Sequence, residues 1–379
     1  LILNFLMVNV LFFTLSDLGK NARMINLIDE LRKRKNLKIF LFGFDISELP
    51  KQVRDSPNIV INHIFRIFTF PWYLSLCFVP LQFLFYLIQV FSISIVCKSV
   101  DVVFTSSSYL EIFLSMFLSL IKKSRLVIDI DSLDWFRNSI KKKIYIYLLS
   151  HCDYLTTETH SMSVILRISG IKSFEIPNLP DKLFLNIKKS KEHVCKILSI
   201  PKESKLIGIP ILYYGSSIFE RISRYSKIFN DLDNSFVFII FADLKLQKEI
   251  KEQLSNIKFK NPKFILIPFI YNIYPLVLSS CDIGLSINGE DSSLKISKEI
   301  IQMYGSGIPI IGFKGVSMNE IIKNGGIGFI AKVDNDLIKL LKDIFITHEI
   351  NINNFKFNKE EIIKKWNINV NKIFDLILN

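Results

Sequence analysis

The stretch from Phe264 to Lys332 constrains the fold more than any other part of the chain. Cys281 to Ile287 is a short apolar run of strand character. The polar loop Asn288-Gly289-Glu290-Asp291-Ser292-Ser293 separates it from a helix-period segment, Ser297 to Tyr304. Gly305-Ser306-Gly307 breaks that helix, and Ile308 to Phe313 returns as a second strand. This order predicts a β-α-β unit of an open α/β sheet. Its loop and helix start fall at the carboxyl end of a strand, where such sheets bind ligands and where helix N-terminal amides suit phosphate.

A second signal lies far away, in Ser16-Asp17-Leu18-Gly19-Lys20-Asn21-Ala22-Arg23-Met24. The order "SSCDIGLSI", polar loop, "SKEIIQMYGSGIPII", then "NEIIKNGGIGFIA" resembles the donor half of two-domain, GT-B type glycosyltransferases. Within them it is most similar to the chitobiosyldiphosphodolichol β-mannosyltransferases, which add the first mannose to lipid-linked chitobiose. The N-terminal segment resembles that family's opening D-(hydrophobic)-G-R/K-x-x-R-M. With weaker similarity between the two motifs, the resemblance spans nearly the whole chain. It implies an α/β fold of two Rossmann-like domains facing each other across a cleft. Residues 1–190 would form the acceptor-side domain, 191–360 the nucleotide-sugar domain, and 361–379 a helix crossing back to the first.

The 379 residues leave room for two such domains. Half of them are hydrophobic, 33 are Phe, and the mean hydropathy of +0.33 is high for a freely soluble protein, which predicts a membrane partner. A net charge of +13 suits an anionic partner: phospholipid headgroups, a pyrophosphate-linked substrate or nucleic acid. No nucleic-acid recognition motif is found, and the Lys and Arg residues are scattered among Ile and Asn, so that partner is set aside. Cys77, Cys97, Cys152, Cys195 and Cys281 are widely spaced, with no CxxC pair; buried apolar side chains in a reducing compartment are the simpler expectation.

In chain order, LILNFLMVNVLFFTL reads mostly as a first buried strand, and the absence of an initiator Met leaves a truncated start open. Ser16 to Lys20 read as a turn and Asn21 to Lys35 as a helix. Gly19 permits close backbone approach, while Lys20 and Arg23 place positive charge at a helix N-terminus, against the dipole. That conflict favours a grip on a diphosphate of donor or lipid acceptor; the alternative is a solvated turn. Leu37 to Phe44 reads as the second strand. Ile67 to Cys97 then runs without a charge, interrupted by Pro71 and Pro80. We expect a membrane-embedded or membrane-lying hydrophobic helix pair, with Trp72 and Tyr73 near the interface; a true transmembrane helix and an ordinary buried helix are the rivals.

Leu126 to Ile130 is a strand leading into Asp131-Ser132-Leu133-Asp134. Relatives typically continue a similar "LVID" strand with an aromatic, His and Asn, where this chain has Ile130, Asp131 and Ser132. Inverting transfer needs a base for the acceptor hydroxyl, and a carboxylate can serve. Asp131 is assigned that role, with Asp134 in reserve; the alternative is that Asp131 caps the following helix. His160 stands on a strand-end loop, and Lys182 to Lys205 is expected to be an interdomain connection and solvated face.

In the second half, Ile211 to Tyr214 reads as a strand entering a small-residue loop with Gly215 and Ser216. A helix with Arg221 follows, and these groups could hold the leaving diphosphate. After the strand Ser235 to Phe241, Lys245 is the candidate cation where relatives carry a Gly-rich turn. The resemblance places Ser292, Ser293, Lys298, Glu299 and Gln302 at the donor. Lys295 and Gln302 occupy positions where the family has acids, and Gln302 can still hydrogen-bond a ribose diol.

The resemblance thus implies a membrane-associated inverting glycosyltransferase. Its donor would be a nucleotide sugar, GDP-mannose, and its acceptor a lipid-diphosphate-linked oligosaccharide. No metal or other cofactor is obligatory, although Asp129 and Asp131 match a D-x-D spacing. Other glycosyltransferases of the pathway are candidate partners. The location would be the cytosolic face of the endoplasmic reticulum in a eukaryote and the cytoplasmic membrane otherwise. Two other readings stay open: the same fold serving another glycolipid or polysaccharide pathway, and an inactive scaffold.

Overall fold

The computed structural model describes residues 7–18, 21–44, 48–64, 72–133, 138–180, 182–211, 232–255, 263–270, 273–286, 296–323, 328–332, 334–347 and 358–378. The chain divides into two units. One comprises Leu1–Asn178 with Lys365–Asn379, the other Leu179–Lys364.

The first unit holds a seven-stranded parallel sheet of order β3-β2-β1-β4-β5-β6-β7. Its strands are β1 (Val8–Asp17), β2 (Leu37–Phe44), β3 (Ile59–His63), β4 (Val102–Ser106), β5 (Arg125–Ile130), β6 (Tyr154–Thr157) and β7 (Phe174–Glu175). The central strands read as unbroken apolar runs because helices cover both faces of a parallel sheet. Val10 to Phe13 and Val102 to Phe104 are accordingly buried, and the Phe12 and Phe104 rings lie 4.8 Å apart. The strand β1 runs through Ser16 and Asp17, so the expected turn begins later, and the helix Ala22–Leu31 starts on an N-cap, Asn21, whose side chain accepts from the Met24 amide.

The expected helix pair is instead one helix, Trp72–Val96, of 25 residues. Pro80 lies inside it without ending it, although an interior proline costs roughly 3 kcal/mol, and the helix packs on its neighbour Tyr109–Lys122. Among the described residues no helix is long and apolar enough to cross a membrane. Trp72 and Tyr73 fall in this helix, and the placement of their side chains lies outside the described residues.

The second unit holds a six-stranded parallel sheet of order β10-β9-β8-β11-β12-β13. Its strands are β8 (Lys205–Pro210), β9 (Phe236–Ala242), β10 (Lys263–Pro268), β11 (Ile283–Leu285), β12 (Ile310–Phe313) and β13 (Gly328–Ala331). The strand Lys205–Pro210 runs over KLIGIP, where Ile207 and Ile209 are buried between β9 and β11, and residues 212–214 of the strand expected at Ile211 to Tyr214 lie outside the described residues. The unit boundary at Leu179 puts the Lys-rich stretch inside this unit, where it forms the helices Lys182–Asn186 and Lys191–Ile197. It is more than a solvated face: Lys189 donates to the Gly307 carbonyl at 2.6 Å, and Lys191 pairs with Asp282 at 2.7 Å.

The β-α-β unit expected from the sequence is present as β11, the helix Lys298–Gly305 and β12. Gly305 ends the helix and packs on Pro180; an added Cβ would meet the Pro180 Cβ at 2.5 Å, and a proline ring cannot retreat. Gly307, two residues on, has φ +65°. Gly305→Ala is expected to destabilise the second unit by about 2 kcal/mol through overpacking, read from the denaturant midpoint. An unchanged midpoint would show that this approach is not tight.

Candidate functional site

In a doubly wound sheet, ligands bind beyond the carboxyl ends of the strands at the point where strand order reverses. In the first unit that point lies between β1 and β4. The polar side chains there converge on Glu111, which is 3% exposed. Its carboxylate accepts from the Thr14 hydroxyl at 2.8 Å, the Leu15 amide at 2.5 Å, the Ser108 hydroxyl at 2.7 Å and the Ser106 hydroxyl. Ser108 is also the N-cap of the helix Tyr109–Lys122, its side chain accepting from the Glu111 amide. Ser108-Tyr109-Leu110-Glu111 therefore has the S-x-x-E pattern of a capping box, with the acid reaching back to the Ser108 hydroxyl while it also clamps β1 to β4. The sequence reading missed Glu111, although S-x-x-E before an apolar run was the signal that would have found it. Glu111→Gln, which turns an amide NH₂ toward buried donors, is expected to cost about 2 kcal/mol of stability. An unfolding transition at the wild-type midpoint would remove this clamp.

Asp131 follows β5 at the same edge of the sheet. Its Oδ1 accepts from the Ser107 hydroxyl at 2.6 Å, and the Ser107 carbonyl in turn accepts from the buried Tyr145 hydroxyl. Burial, reinforced by Tyr109, Asp131 and Glu111, pushes the Tyr145 phenol far above its ordinary value, so it stays a neutral donor. Tyr145 fixes Ser107, and Ser107 fixes the carboxylate. The next described helix, Ser139–Leu149, is capped by Asn138, which accepts from the amides of Ile140 and Lys141, and residues 134–137, on which the capping alternative for Asp131 bears, lie outside the described residues. Asp134 lies outside the described residues.

Arg23 sits deeper. Its guanidinium forms a fork onto Asp129, Nε at 2.7 Å and Nη2 at 2.8 Å, and Nη1 reaches the Ile176 carbonyl at 2.6 Å and Asn178 Oδ1 at 2.8 Å. Four of its five N–H groups are thus committed to protein acceptors. Burial alone would lower its pKa, but Asp129, helped by Glu158 and Asp131, raises it. Asp129 Oδ1 also accepts from Thr156 at 2.6 Å. The residue assigned from the sequence to a substrate diphosphate therefore ties β5, β6 and the segment after β7 to the first helix. Asp129 and Asp131, which match D-x-D in spacing, are held by different partners. Gly19 and Lys20 lie outside the described residues.

In the second unit the reversal falls between β8 and β11. The segments that follow those strands, with Gly215, Ser216, Arg221, Ser292, Ser293 and Lys295, lie outside the described residues. What is described is the helix Lys298–Gly305, capped by the Ser297 hydroxyl. Lys298 is exposed and Glu299 is 2% exposed. Gln302, expected to hydrogen-bond a ribose, has its Oε1 accepting from the Tyr274 hydroxyl at 2.6 Å. Tyr274 is packed among Phe184, Phe241 and Phe269; burial, then Glu299 and Cys281, raises its pKa well above the usual value and keeps it a donor. Lys245 lies in the helix Leu244–Ser255 after β9, its side chain outside the described residues. His160, on the first unit, begins the helix His160–Ile168 and pairs with Glu175 at 3.1 Å. Of the cysteines, Cys97, Cys195 and Cys281 are buried as expected, whereas Cys152 is half-buried; burial, then Asp153, pushes its thiol up to about 12.

Two parallel, doubly wound sheets in two units define the GT-B architecture, the fold that the sequence motifs predict. By sequence the chain is a divergent relative of the chitobiosyldiphosphodolichol β-mannosyltransferases. It is 23% identical to the Kluyveromyces lactis enzyme over 94% of this chain and 88% of that one. It is also 26% identical to the Dictyostelium discoideum enzyme, over 37% of this chain and only 29% of that protein. No family model matches the chain. Among solved structures it is similar to a Rickettsia africae glycosyltransferase (TM-score 0.70, 16% identity, 98% of this chain and 97% of that one). It is similar also to Anabaena HepE in complex with UDP and glucose (0.69, 14%, 98% and 99%). The Neisseria meningitidis UDP-GlcNAc 2-epimerase is similar as well (0.56, 16%, 95% and 98%), so the fold by itself does not select a reaction.

Proposed function

We propose that this chain is a membrane-associated inverting glycosyltransferase that moves mannose from GDP-mannose to a lipid-diphosphate-linked chitobiose. The observation that carries the reading is the similarity to the Kluyveromyces lactis mannosyltransferase along 94% of the chain. In the proposed reaction an acceptor hydroxyl oxygen attacks the anomeric carbon as the bond to the nucleoside diphosphate breaks, and Asp131 takes the hydroxyl proton. The chain Tyr145, Ser107, Asp131 supports that role by fixing one carboxylate oxygen at a strand end. Gly215, Ser216 and Arg221, with Ser292, Ser293, Lys298 and Glu299, are proposed to receive the donor and its leaving diphosphate. No metal is assigned to any step. Gln302 joins them through its amide nitrogen, since its oxygen is held by Tyr274. Gly19 and Lys20 are proposed to meet the acceptor diphosphate. The acceptor's lipid places the reaction at a membrane, the cytosolic face of the endoplasmic reticulum in a eukaryotic cell.

A second reading, a UDP-sugar donor serving another glycolipid, is favoured by the likeness to HepE with UDP and glucose. The test is transfer of labelled mannose from GDP-mannose to phytanyl-diphosphate chitobiose by detergent-solubilised protein, beside thermal shifts with GDP- and UDP-sugars. A bound donor at a hundred times its Kd adds about 2.7 kcal/mol. Product together with a GDP-sugar shift is the expected result. A UDP-sugar shift without product would move the assignment to the second reading, and no shift with either would leave a scaffold.

A further inference from the structure

The helices Trp72–Val96, Tyr109–Lys122 and Ser139–Leu149 connect β3 to β4, β4 to β5 and β5 to β6. All three crossovers step the same way along the sheet, so their common right-handedness sets them on one face, and each packs on the next. The Phe83 and Phe113 rings meet at 5.5 Å across the first pair, and the Tyr109 and Tyr145 rings at 4.0 Å across the second.

The outward side of this layer is apolar where a water-facing layer would be polar. Leu81, Leu84, Ile88, Phe91 and Ile95 recur at intervals of three and four and are 53–68% exposed, a stripe about 21 Å long. Phe113, Phe117 and Leu120 continue it on the second helix, and Ile140, Ile144 and Tyr147 on the third. Contiguous apolar surface of this extent marks an interaction site. The opposite sides of the same helices carry buried Val90 and Ile93, Ile112 and Leu118, and Tyr145. The layer can therefore lie on a partner but not pass through it.

Charge selects the partner. The first helix carries no charged residue, and the only acid on the other two is Glu111, buried at the sheet edge. The cations are Lys122 on the second helix and Lys141, Lys142 and Lys143 on the third, with Lys98 and Lys123 just past helix ends. Lys141 and Lys143 flank the Ile140–Ile144–Tyr147 stripe on either side, 100° or less from it on the helix wheel. Protein interfaces deplete lysine, whereas an apolar face edged by snorkelling lysines is the pattern of a surface lying in an anionic lipid interface.

We infer that this three-helix face docks the first unit onto one leaflet of an anionic phospholipid bilayer, the apolar stripes reaching the acyl boundary and Lys141 and Lys143 the headgroups. The inference deepens the reading above by naming the surface that meets the membrane, and rests on it only for the lipid nature of the acceptor.

The experiment is flotation of the full chain with vesicles of phosphatidylcholine alone and of phosphatidylcholine with about one third phosphatidylserine. Wild type is expected to float with the anionic vesicles, less so as salt rises. Lys141→Gln and Lys143→Gln are each expected to weaken that binding about fivefold without affecting neutral vesicles. Ile88→Glu with Leu120→Glu, both at exposed positions, should abolish flotation at an unchanged thermal midpoint. Wild type that floats with neither vesicle, or a double variant that floats like wild type, would overturn the inference. So would a wild-type dimer that the double variant dissociates with vesicle binding intact, since the face would then belong to a second copy. Donor thermal shift without vesicles separates the two readings: flotation without any nucleotide-sugar shift sinks the transferase and leaves the docking face standing, and the reverse result does the opposite.

Discussion

Asp131→Asn is expected to lower mannosyl transfer by about 10²- to 10⁴-fold, the range that a positioned general base contributes. The substitution is nearly isosteric, and an amide oxygen can still accept from the Ser107 hydroxyl that holds Oδ1 at 2.6 Å. Donor thermal shift and the unfolding midpoint should therefore stay at wild-type values while the rate falls. That split separates loss of a base from loss of structure. Tyr145→Phe, which removes the donor to the Ser107 carbonyl, should give a smaller drop by loosening the same carboxylate. Equal rates for wild type and Asp131→Asn would take Asp131 out of the mechanism and make Asp134 the next variant to measure.

Arg23→Met should destabilise the first unit by about 3–5 kcal/mol, because it leaves Asp129 a buried charge with Thr156 as its remaining hydrogen-bond donor of those described here. Both side chains are 9% exposed, so water offers Asp129 little relief. Arg23→Met with Asp129→Leu is expected to recover most of the loss, since replacing both charges removes the stranded one. Denaturant unfolding of the four proteins completes the cycle. The rival role, a grip on a diphosphate, makes a different prediction: a higher KM for the acceptor at an unchanged midpoint. That result would return Arg23 to the substrate.

Much of the second sheet was legible in the chain. The helix Lys298–Gly305 was readable because its cap, its apolar period and its glycine stop are all local, and in the first sheet β2 falls at the expected residues because burial on both faces leaves a near-continuous apolar run. Residues 67–97 carry two prolines and several polar breaks that suggest two helices, whereas Trp72–Val96 is one helix that packs on the neighbouring Tyr109–Lys122. Residues 212–214 of the strand expected from Ile211 lie outside the described residues, and pairing with β9 and β11 sets the register of Lys205–Pro210 just before them, which sequence pattern alone does not.

For the candidate site the division is sharper. Residue type and spacing along one strand or helix are local properties, so the α/β class, the two motif regions and the identities of Arg23, Asp129, Asp131 and Gln302 were legible in the chain. What those groups touch depends on the folded chain. Arg23 meets Asp129 across 106 residues, Glu111 meets Thr14 across 97, and Tyr274 meets Gln302 across 28. A parallel sheet brings the carboxyl ends of strands distant in sequence to one edge, so each side chain's partner comes from a different strand-to-helix turn. No local pattern in the chain encodes that pairing.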